Sequence, residues 1–169
     1  MNTQTLATAT PVREVDIELL ALDLASCTRC LGTLANIEAA IGTLRPVLDA
    51  TGTAIRLRKT LIDSEEQARL HRFETSPTIR INGRDIAFET RESRCDSCTD
   101  LCGCEEGTDC RVWLYHGQEY TEAAVGLVME AVLHGIVDDT SPSAPVASES
   151  VPENLRRFFE QHFHESNDS

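Results

Sequence analysis

The sequence predicts an α/β sandwich, and three observations carry that prediction. Apolar runs at residues 14–24 and 55–62 have the length and composition of strands that are buried in a sheet. Between these runs, apolar residues recur at steps of three and four, which is the period of a helix with one buried face. Further along, Asn82-Gly83 separates two strand-like runs, and this dipeptide is a strong hairpin signal. The order of these elements predicts a mixed sheet that is covered by helices.

The first strand is expected over residues 14–24, where apolar and acidic residues alternate before a continuous apolar run. Ser26 is placed to cap the helix that follows. The apolar face of this helix comprises Leu31, Leu34, Ile37, Ile41, Leu44 and Leu48. Pro46 removes a backbone donor, so the helix is expected to end or kink just before it.

A second strand is expected from Ile55, followed by a short polar helix. Ser64 and Gln67 have the spacing of a capping box at the start of that helix. A strand-helix-strand unit predicts two parallel strands with a right-handed crossover. The third and fourth strands, at residues 78–81 and 84–89, are expected to pair antiparallel across the Asn-Gly turn.

The rest of the chain predicts one more hairpin, a core helix and a tail. Residues 111–120 read as the hairpin, and Thr121 is placed to cap the core helix. The expected organisation is a flexible arm (1–11), a folded domain (12–137), a linker rich in Ser, Pro and acidic residues (138–150) and an amphipathic tail helix (151–164). The tail helix is expected to dock on its own domain or on a second copy in a homodimer. The alternative is that it fits a groove on another protein.

The charge of the chain excludes several classes of partner. Its 28 acidic and 15 basic residues give a formal charge of -13, which repels nucleic acid and anionic lipid. No apolar run approaches the ~20 residues that cross a bilayer. The first residues are polar and show no secretory signal. We therefore expect a cytoplasmic protein that binds neither nucleic acid nor membranes. Cysteines in that compartment are more often redox-active or metal-bound than structural disulfides.

Two of the seven cysteines, Cys27 and Cys30, form a C-x-x-C pair where the first strand gives way to the first helix. Unpaired backbone N–H groups and the positive end of the helix dipole favour a thiolate at such a position. A C-x-x-C pair serves in redox chemistry and also as half of a zinc site. Spacing alone therefore leaves both uses open.

The other five cysteines fall between Cys95 and Cys110, separated by polar residues, glycine and Leu101. Such a segment has no core of its own, and a tetrahedral Zn²⁺ with four ligands would fix its shape. The predicted ligands are Cys95, Cys98, Cys102 and Cys110. Cys104 is left out because it is too close to Cys102 for easy double ligation. Disulfides, a redox relay with the C-x-x-C pair, and an iron-sulfur cluster are the alternatives.

The C-x-x-C after the first strand and the phrase Ser76-Pro77-Thr78-Ile79-Arg80-Ile81-Asn82-Gly83 resemble the thioredoxin and glutaredoxin fold. Together with the cysteine cluster that ends in Cys110-Arg111-Val112-Trp113, residues 15–136 are similar to a family of small thioredoxin-like proteins of uncharacterised function. The resemblance implies a thioredoxin-like sandwich with a central mixed sheet, a cysteine-rich insert at 95–110 and a C-terminal tail helix.

The resemblance also implies roles for individual residues. Cys27 would be the nucleophile and Cys30 the resolving thiol. Pro77, in cis, would face this pair and bring the Ser76 backbone close enough to bind an extended substrate. Arg29 would lie beside Cys27, favour its thiolate and contact substrate.

The predicted function is that of a thiol-disulfide oxidoreductase with a separate zinc site. Its substrate would be a protein or small-molecule thiol or disulfide. The first alternative is a protein that binds or hands over a soft metal ion or metalloid through the same pair. The second is a non-catalytic interaction module with a thioredoxin-like fold.

Overall fold

The computed structural model describes residues 13–138 and 146–167, with side chains described through residue 162. The predicted arm (1–11) and most of the predicted linker (139–145) lie outside the described residues. Within the described ranges, the elements in chain order are β1 Arg13–Ala21, α1 Thr28–Ala50, β2 Thr53–Leu61, α2 Glu65–Leu70, β3 Thr78–Ile81, β4 Arg84–Asp85, β5 Arg91–Arg94, α3 Asp96–Cys102, β6 Asp109–Tyr115, β7 Gln118–Tyr120, α4 Val125–Val137 and α5 Glu153–Asn167.

The central sheet is mixed and has the strand order β2-β1-β3-β4. β1 pairs parallel with β2, with Arg13 opposite Thr53, and antiparallel with β3, with Glu18 opposite Arg80. β3 and β4 pair antiparallel across Asn82-Gly83, where both residues have positive φ, as this type of tight turn requires. The predicted α/β sandwich, its parallel pair and its hairpin are confirmed.

Helices cover both faces of this sheet, so the chain has two hydrophobic cores. On one face, Ile17 and Leu19 of β1 are buried against Ile37 of α1 and Val128 of α4. The second core lies on the other face, where residues of β1, α2 and α5 meet Ile62, which follows β2. Its members include Leu20, Ile62, Ala68, Phe73, Leu155, Phe158 and all seven cysteines. The cysteines therefore occupy a dry interior rather than a solvated loop.

The segment between β4 and α4 forms a second sheet, antiparallel and with the order β5-β6-β7. α3 connects β5 to β6. We call residues 91–115, which contain the cysteine-rich segment 95–110, the insert. Sequence reasoning predicted the β6-β7 hairpin but neither β5 nor α3, because both are short and lack apolar periodicity. The cysteines of the insert, with partly buried Leu101, supply the surface that it packs into the second core.

Some predicted helix boundaries are corrected by the structure. α1 continues past Pro46 and ends at Ala50. A proline ring inside a helix clashes with the carbonyl four residues earlier, here that of Gly42, yet α1 stays helical through Pro46. α4 begins at Val125 with Ala124 as its cap, so Thr121 does not cap it.

Other local predictions are confirmed. Ser64 Oγ accepts a hydrogen bond of 3.2 Å from the Gln67 amide at the start of α2. The predicted tail helix is present as α5. No helix in the described part of the chain is long and apolar enough to span a bilayer.

Candidate metal centre

Four cysteine sulfurs from separate parts of the chain meet in the second core. Cys27 precedes α1, Cys95 precedes α3, Cys98 lies within α3, and Cys110 lies on β6. Their Sγ atoms all lie within 4.8 Å of one another. The Cys98 thiol donates to Cys27 Sγ at 3.5 Å, and the Cys110 thiol donates to Cys98 Sγ at 3.5 Å. All four side chains are buried. We call these residues the four-cysteine cluster.

The four-cysteine cluster fits a metal ion with four sulfur ligands. Zn–S bonds of about 2.3 Å in a tetrahedron place neighbouring sulfurs about 3.8 Å apart. The hydrogen-bonded sulfurs of the cluster are 3.5 Å apart, so little movement is needed. The group of potential ligands found among the described residues contains only cysteines. Such an all-sulfur set suits Zn²⁺ and other thiophilic cations.

The turn before α1 is organised by a carboxylate that sequence reasoning did not identify. Asp23 accepts hydrogen bonds from the backbone amides of Ala25, Ser26 and Cys27, the last at 2.6 Å. Cys27 is the N-cap of α1, and its Sγ accepts from the Cys30 amide at 3.4 Å. The predicted cap, Ser26, lies one residue too early. An aspartate followed by small residues before a helix is the sequence signal of such a turn.

Two threonines hold the insert in the shape that presents Cys95 and Cys98. The Cys95 amide donates to the Thr108 carbonyl at 2.8 Å. The Thr108 amide donates to Thr99 Oγ1 at 2.9 Å, and this hydroxyl in turn donates to the Cys95 carbonyl at 2.7 Å. These hydrogen bonds hold the two ends of the segment around α3 together without the help of a metal.

Arg29 fastens the start of α1 to the insert. Its guanidinium donates to the Arg94 carbonyl at 2.6 Å and to Ser93 Oγ at 2.9 Å. It also reaches the Cys110 carbonyl at 3.4 Å. The resemblance implied that Arg29 contacts a substrate beside Cys27. The structure places its guanidinium on the backbone of the insert.

The Ser76–Pro77 peptide bond is cis and lies next to the C-x-x-C pair. Ser76 Oγ accepts from the Leu22 amide at 3.1 Å and lies 3.7 Å from Cys30 Sγ. The Ser76 carbonyl accepts a 2.7 Å hydrogen bond from the Arg111 amide. The backbone group that the resemblance assigned to an extended substrate is therefore bound by β6 of the same chain.

The thiols around Cys27 concentrate negative charge on its sulfur. Hydrogen bonds lower the pKa of Cys27 far below its usual range, with Cys110 contributing most, followed by Cys30. A hydrogen bond with Cys110 is also the main reason that the pKa of Cys95 falls to about 7. The hydrogen bond to Cys27, together with burial, raises the pKa of Cys30. A thiolate among thiol donors is a favourable starting point for binding a cation.

Cys102 does not join the four-cysteine cluster. It forms a disulfide with Cys104, with 5.2 Å between their Cα atoms, and Cys27 takes its place beside Cys95, Cys98 and Cys110. Three of the four predicted ligands are thus brought together and the fourth is not. A signal was present in the sequence. If the C-x-C cysteines pair with each other, the insert keeps three thiols and needs one from elsewhere.

A family model described as "Domain of unknown function (DUF2703)" matches residues 14–132. The chain belongs to the DUF2703 family. The matched residues include all seven cysteines and end within α4. No curated protein matches the chain, and no solved structure matches it. The function of this DUF2703 domain therefore has to be argued from the four-cysteine cluster.

α5 lies beyond the residues that match the DUF2703 model, yet it covers the four-cysteine cluster. Leu155 and Phe158 are buried in the same core as the sulfurs. The Asn154 side chain accepts from the Asp109 amide at 2.9 Å and donates to the Asp109 carbonyl at 3.0 Å. α5 is therefore attached directly beside Cys110.

Proposed function

We propose that this DUF2703 protein binds a thiophilic metal ion, Zn²⁺ or a similarly soft cation, through the four-cysteine cluster. The observation that carries the proposal is the convergence of four buried sulfurs, one from the start of α1 and three from the insert, within 4.8 Å. A bound cation would neutralise these thiolates and cross-link the two parts of the chain.

The surroundings of the four-cysteine cluster support this proposal. Burial of charged thiolates is costly unless a cation compensates it, and a cation at the centre of these four buried sulfurs would supply that compensation. Four thiolates with a divalent ion keep a net charge of about -2. The Arg29 guanidinium, 3.4 Å from the Cys110 carbonyl, places positive charge nearby.

The proposal joins two features that sequence reasoning kept apart. The predicted zinc site was confined to the insert, and the C-x-x-C pair was assigned to redox chemistry. With Cys27 as a ligand, the pair becomes part of the metal site. This arrangement favours the metal-binding alternative over an oxidoreductase with a separate structural zinc.

Metal content and ligand substitution test the proposal. The protein is purified anaerobically, its metal is measured per chain, and Co²⁺ is substituted to record the sulfur-to-cobalt absorption. Wild type is expected to bind one ion. Cys27→Ser is expected to lower metal affinity at least ~10-fold, because one of the four proposed ligands is lost. The matched control is Cys102→Ser/Cys104→Ser, which should keep wild-type affinity.

Two results would count against the assignment. If the Cys102/Cys104 control loses the ion while Cys27→Ser keeps it, the ligands are those predicted from the sequence, with Cys102 as the fourth. If wild type binds neither zinc nor cobalt under reducing conditions, the four-cysteine cluster is not a metal site.

A second function, thiol-disulfide exchange by Cys27 and Cys30, is supported by the position of Ser76 beside the pair, with its Oγ 3.7 Å from Cys30 Sγ. The sheet order β2-β1-β3-β4 with helices on both faces also supports the thioredoxin-like resemblance. However, Cys27 is only 1% exposed and the Ser76 carbonyl is bound by Arg111. A protein substrate would therefore require the insert to move.

Reduction of insulin or a small disulfide by the metal-free protein, with an excess of dithiol as the reductant that regenerates it, tests this second function. Turnover should be abolished in Cys27→Ser. Equal rates for wild type and Cys27→Ser would exclude it.

The position of α5 bears on the predicted homodimer. Leu155 and Phe158 are buried within their own chain, which supports docking of the tail helix on its own domain. A homodimer through the apolar face of the tail helix would require these side chains to leave that core.

A further inference from the structure

We propose that Cys30 is the redox partner of Cys27 and that hydrogen peroxide, or another small peroxide, joins the two sulfurs in a disulfide and thereby releases the metal ion. This inference rests on the proposed function, because it concerns the regulation of the same site. It assigns a role to the one thiol beside the four-cysteine cluster that the metal site does not use.

The geometry around α1 singles out Cys30. Its amide donates to Cys27 Sγ at 3.4 Å, and its own sulfur lies 3.7 Å from Ser76 Oγ. Cys30 is fully buried and is not among the four sulfurs that gather at ligand distance. Cys27 is the N-cap of α1 and Cys30 lies in its first turn, so the two side chains lie within one helical turn of each other. A disulfide needs Cβ atoms roughly 3.5–4.5 Å apart. A small rearrangement of the first turn is therefore enough to join the pair.

Cys27 is the ligand whose loss matters most. It is the one member of the four-cysteine cluster that lies at the N-cap of α1, since the other three belong to the insert. When Cys27 is bonded to Cys30, three thiolates remain and the cross-link between α1 and the insert is gone. Metal affinity should then fall, because a tetrahedral site has lost a quarter of its donors.

The oxidation balances with peroxide as the electron acceptor. The Cys27 thiolate attacks one peroxide oxygen, so the O–O bond breaks, a sulfenic acid forms and, with one proton, water leaves. The Cys30 thiol then attacks the Cys27 sulfur, the S–O bond breaks, and the thiol proton leaves with the hydroxyl as a second water. Two sulfurs give up one electron each, and one peroxide is reduced to two waters.

Burial selects the class of oxidant. Cys27 is 1% exposed and Cys30 is 0% exposed. The Ser76 carbonyl beside them is held by the Arg111 amide. An extended disulfide substrate cannot dock there while β6 is in place. Hydrogen peroxide is uncharged and little larger than water, so it can enter with only local opening of the core.

The test uses the zinc-loaded full chain treated with hydrogen peroxide. Released zinc is followed with a chromogenic chelator, and disulfides are mapped by mass spectrometry. Cys30→Ser keeps all four proposed ligands and should bind zinc like wild type. It should release zinc at least ~10-fold more slowly, since it lacks the one thiol beside Cys27 that is not a proposed metal ligand. The control Cys102→Ser/Cys104→Ser should release zinc at the wild-type rate, and a dithiol reductant should restore binding.

The results separate this inference from the proposed function. Zinc content before peroxide is added tests the metal site, and a wild type without zinc would overturn both. If wild type binds zinc but Cys30→Ser releases it equally fast, the redox role of Cys30 is wrong while the metal site stands. Disulfide mapping in wild type needs no variant, and a product that lacks a Cys27–Cys30 bond would also overturn the inference.

Discussion

The Arg111 amide donates a 2.7 Å hydrogen bond to the carbonyl oxygen of Ser76. This contact attaches β6 to the loop before β3, and so attaches the insert to the central sheet. Cys110 immediately precedes Arg111, and its sulfur lies within 4.8 Å of that of Cys27 at the start of α1. The four-cysteine cluster therefore depends on how a strand of the insert is held against the Ser76–Pro77 loop.

The Arg111 amide should exchange with solvent only when the insert detaches. Its hydrogen bond is short and Arg111 is 2% exposed, so hydrogen exchange followed by NMR should show strong protection. The Thr28 amide serves as a comparison, because it is exposed and its contact with Ser97 Oγ is 3.5 Å long. Exchange of Arg111 as fast as that of Thr28 would mean that β6 is not held by Ser76.

Arg29→Ala should weaken the attachment of the insert to α1. The guanidinium bonds to Ser93 and Arg94 are lost, and hydrogen bonds from charged groups contribute roughly 1.5–3 kcal/mol when buried. Because Arg29 is only partly buried, we expect a loss of ~1–2 kcal/mol in the free energy of unfolding, measured in urea. Metal affinity should fall as well.

The matched control for Arg29 is Arg45→Ala, an exposed arginine on the same helix. Its effect on the free energy of unfolding should stay within about 0.5 kcal/mol. Equal destabilisation by the two substitutions would show that Arg29 acts through the general charge of the helix and not through the insert.

Asp23→Ala should destabilise the turn that places Cys27. The carboxylate accepts three backbone hydrogen bonds, and loss of a comparable helix cap costs ~0.5–2 kcal/mol. Asp63→Ala, an exposed aspartate before α2, is the control and should have a smaller effect. Thermal unfolding at neutral pH measures both variants.

The contribution of Asp23 should depend on pH. Burial alone would raise its pKa, but hydrogen bonds from the Ser26 and Cys27 amides outweigh burial and lower the pKa below 3.8. A carboxyl group whose pKa is lower in the folded state stabilises the fold above the unfolded pKa and loses that effect as the pH falls through the folded pKa. The difference between wild type and Asp23→Ala should therefore shrink below about pH 4. A constant difference down to pH 2 would contradict this sign.

Phe158→Ala should destabilise the core that surrounds the sulfurs. Phe158 is 1% exposed and belongs to the second core, and a buried Phe→Ala change costs about 3–5 kcal/mol. Phe88→Ala is a control of the same residue type, because Phe88 is fully exposed and should change the free energy of unfolding by less than about 0.5 kcal/mol. The Phe158→Ala variant should also expose the cysteines to alkylating reagents. Slow alkylation in Phe158→Ala would show that α5 does not cover them.

The central sheet was accessible to sequence reasoning because its signals are local. Apolar runs, helix-period spacing and the Asn82-Gly83 turn each act over a few residues, and all three correspond to elements of the structure. The predicted stop at Pro46 was wrong because a proline near the end of a helix that is otherwise packed on the sheet costs less than breaking that packing. Here tertiary packing of α1 outweighed the local tendency of proline to end a helix.

The candidate site was only partly accessible from the sequence. Cysteine spacing within the insert pointed to Cys95, Cys98 and Cys110, which the structure brings together. It also favoured Cys102 over Cys27, since spacing rules compare neighbours along the chain. Cys27 is 68 residues before Cys95, and the hydrogen bonds that join their segments, from Arg29 to Ser93 and Arg94, leave no pattern in the sequence.

The burial of Leu155 and Phe158 against the sulfurs has a practical consequence. The residues that match the DUF2703 model stop at 132, so a protein trimmed to that family boundary would lose α5. The loss of α5 would expose Phe73, Ile62 and the cysteines to water, as an apolar surface patch with thiols that oxidise easily. In a protein shortened in this way the thiols would be exposed to solvent. Experiments on it would overestimate how readily the thiols of the native protein oxidise and how readily that protein aggregates.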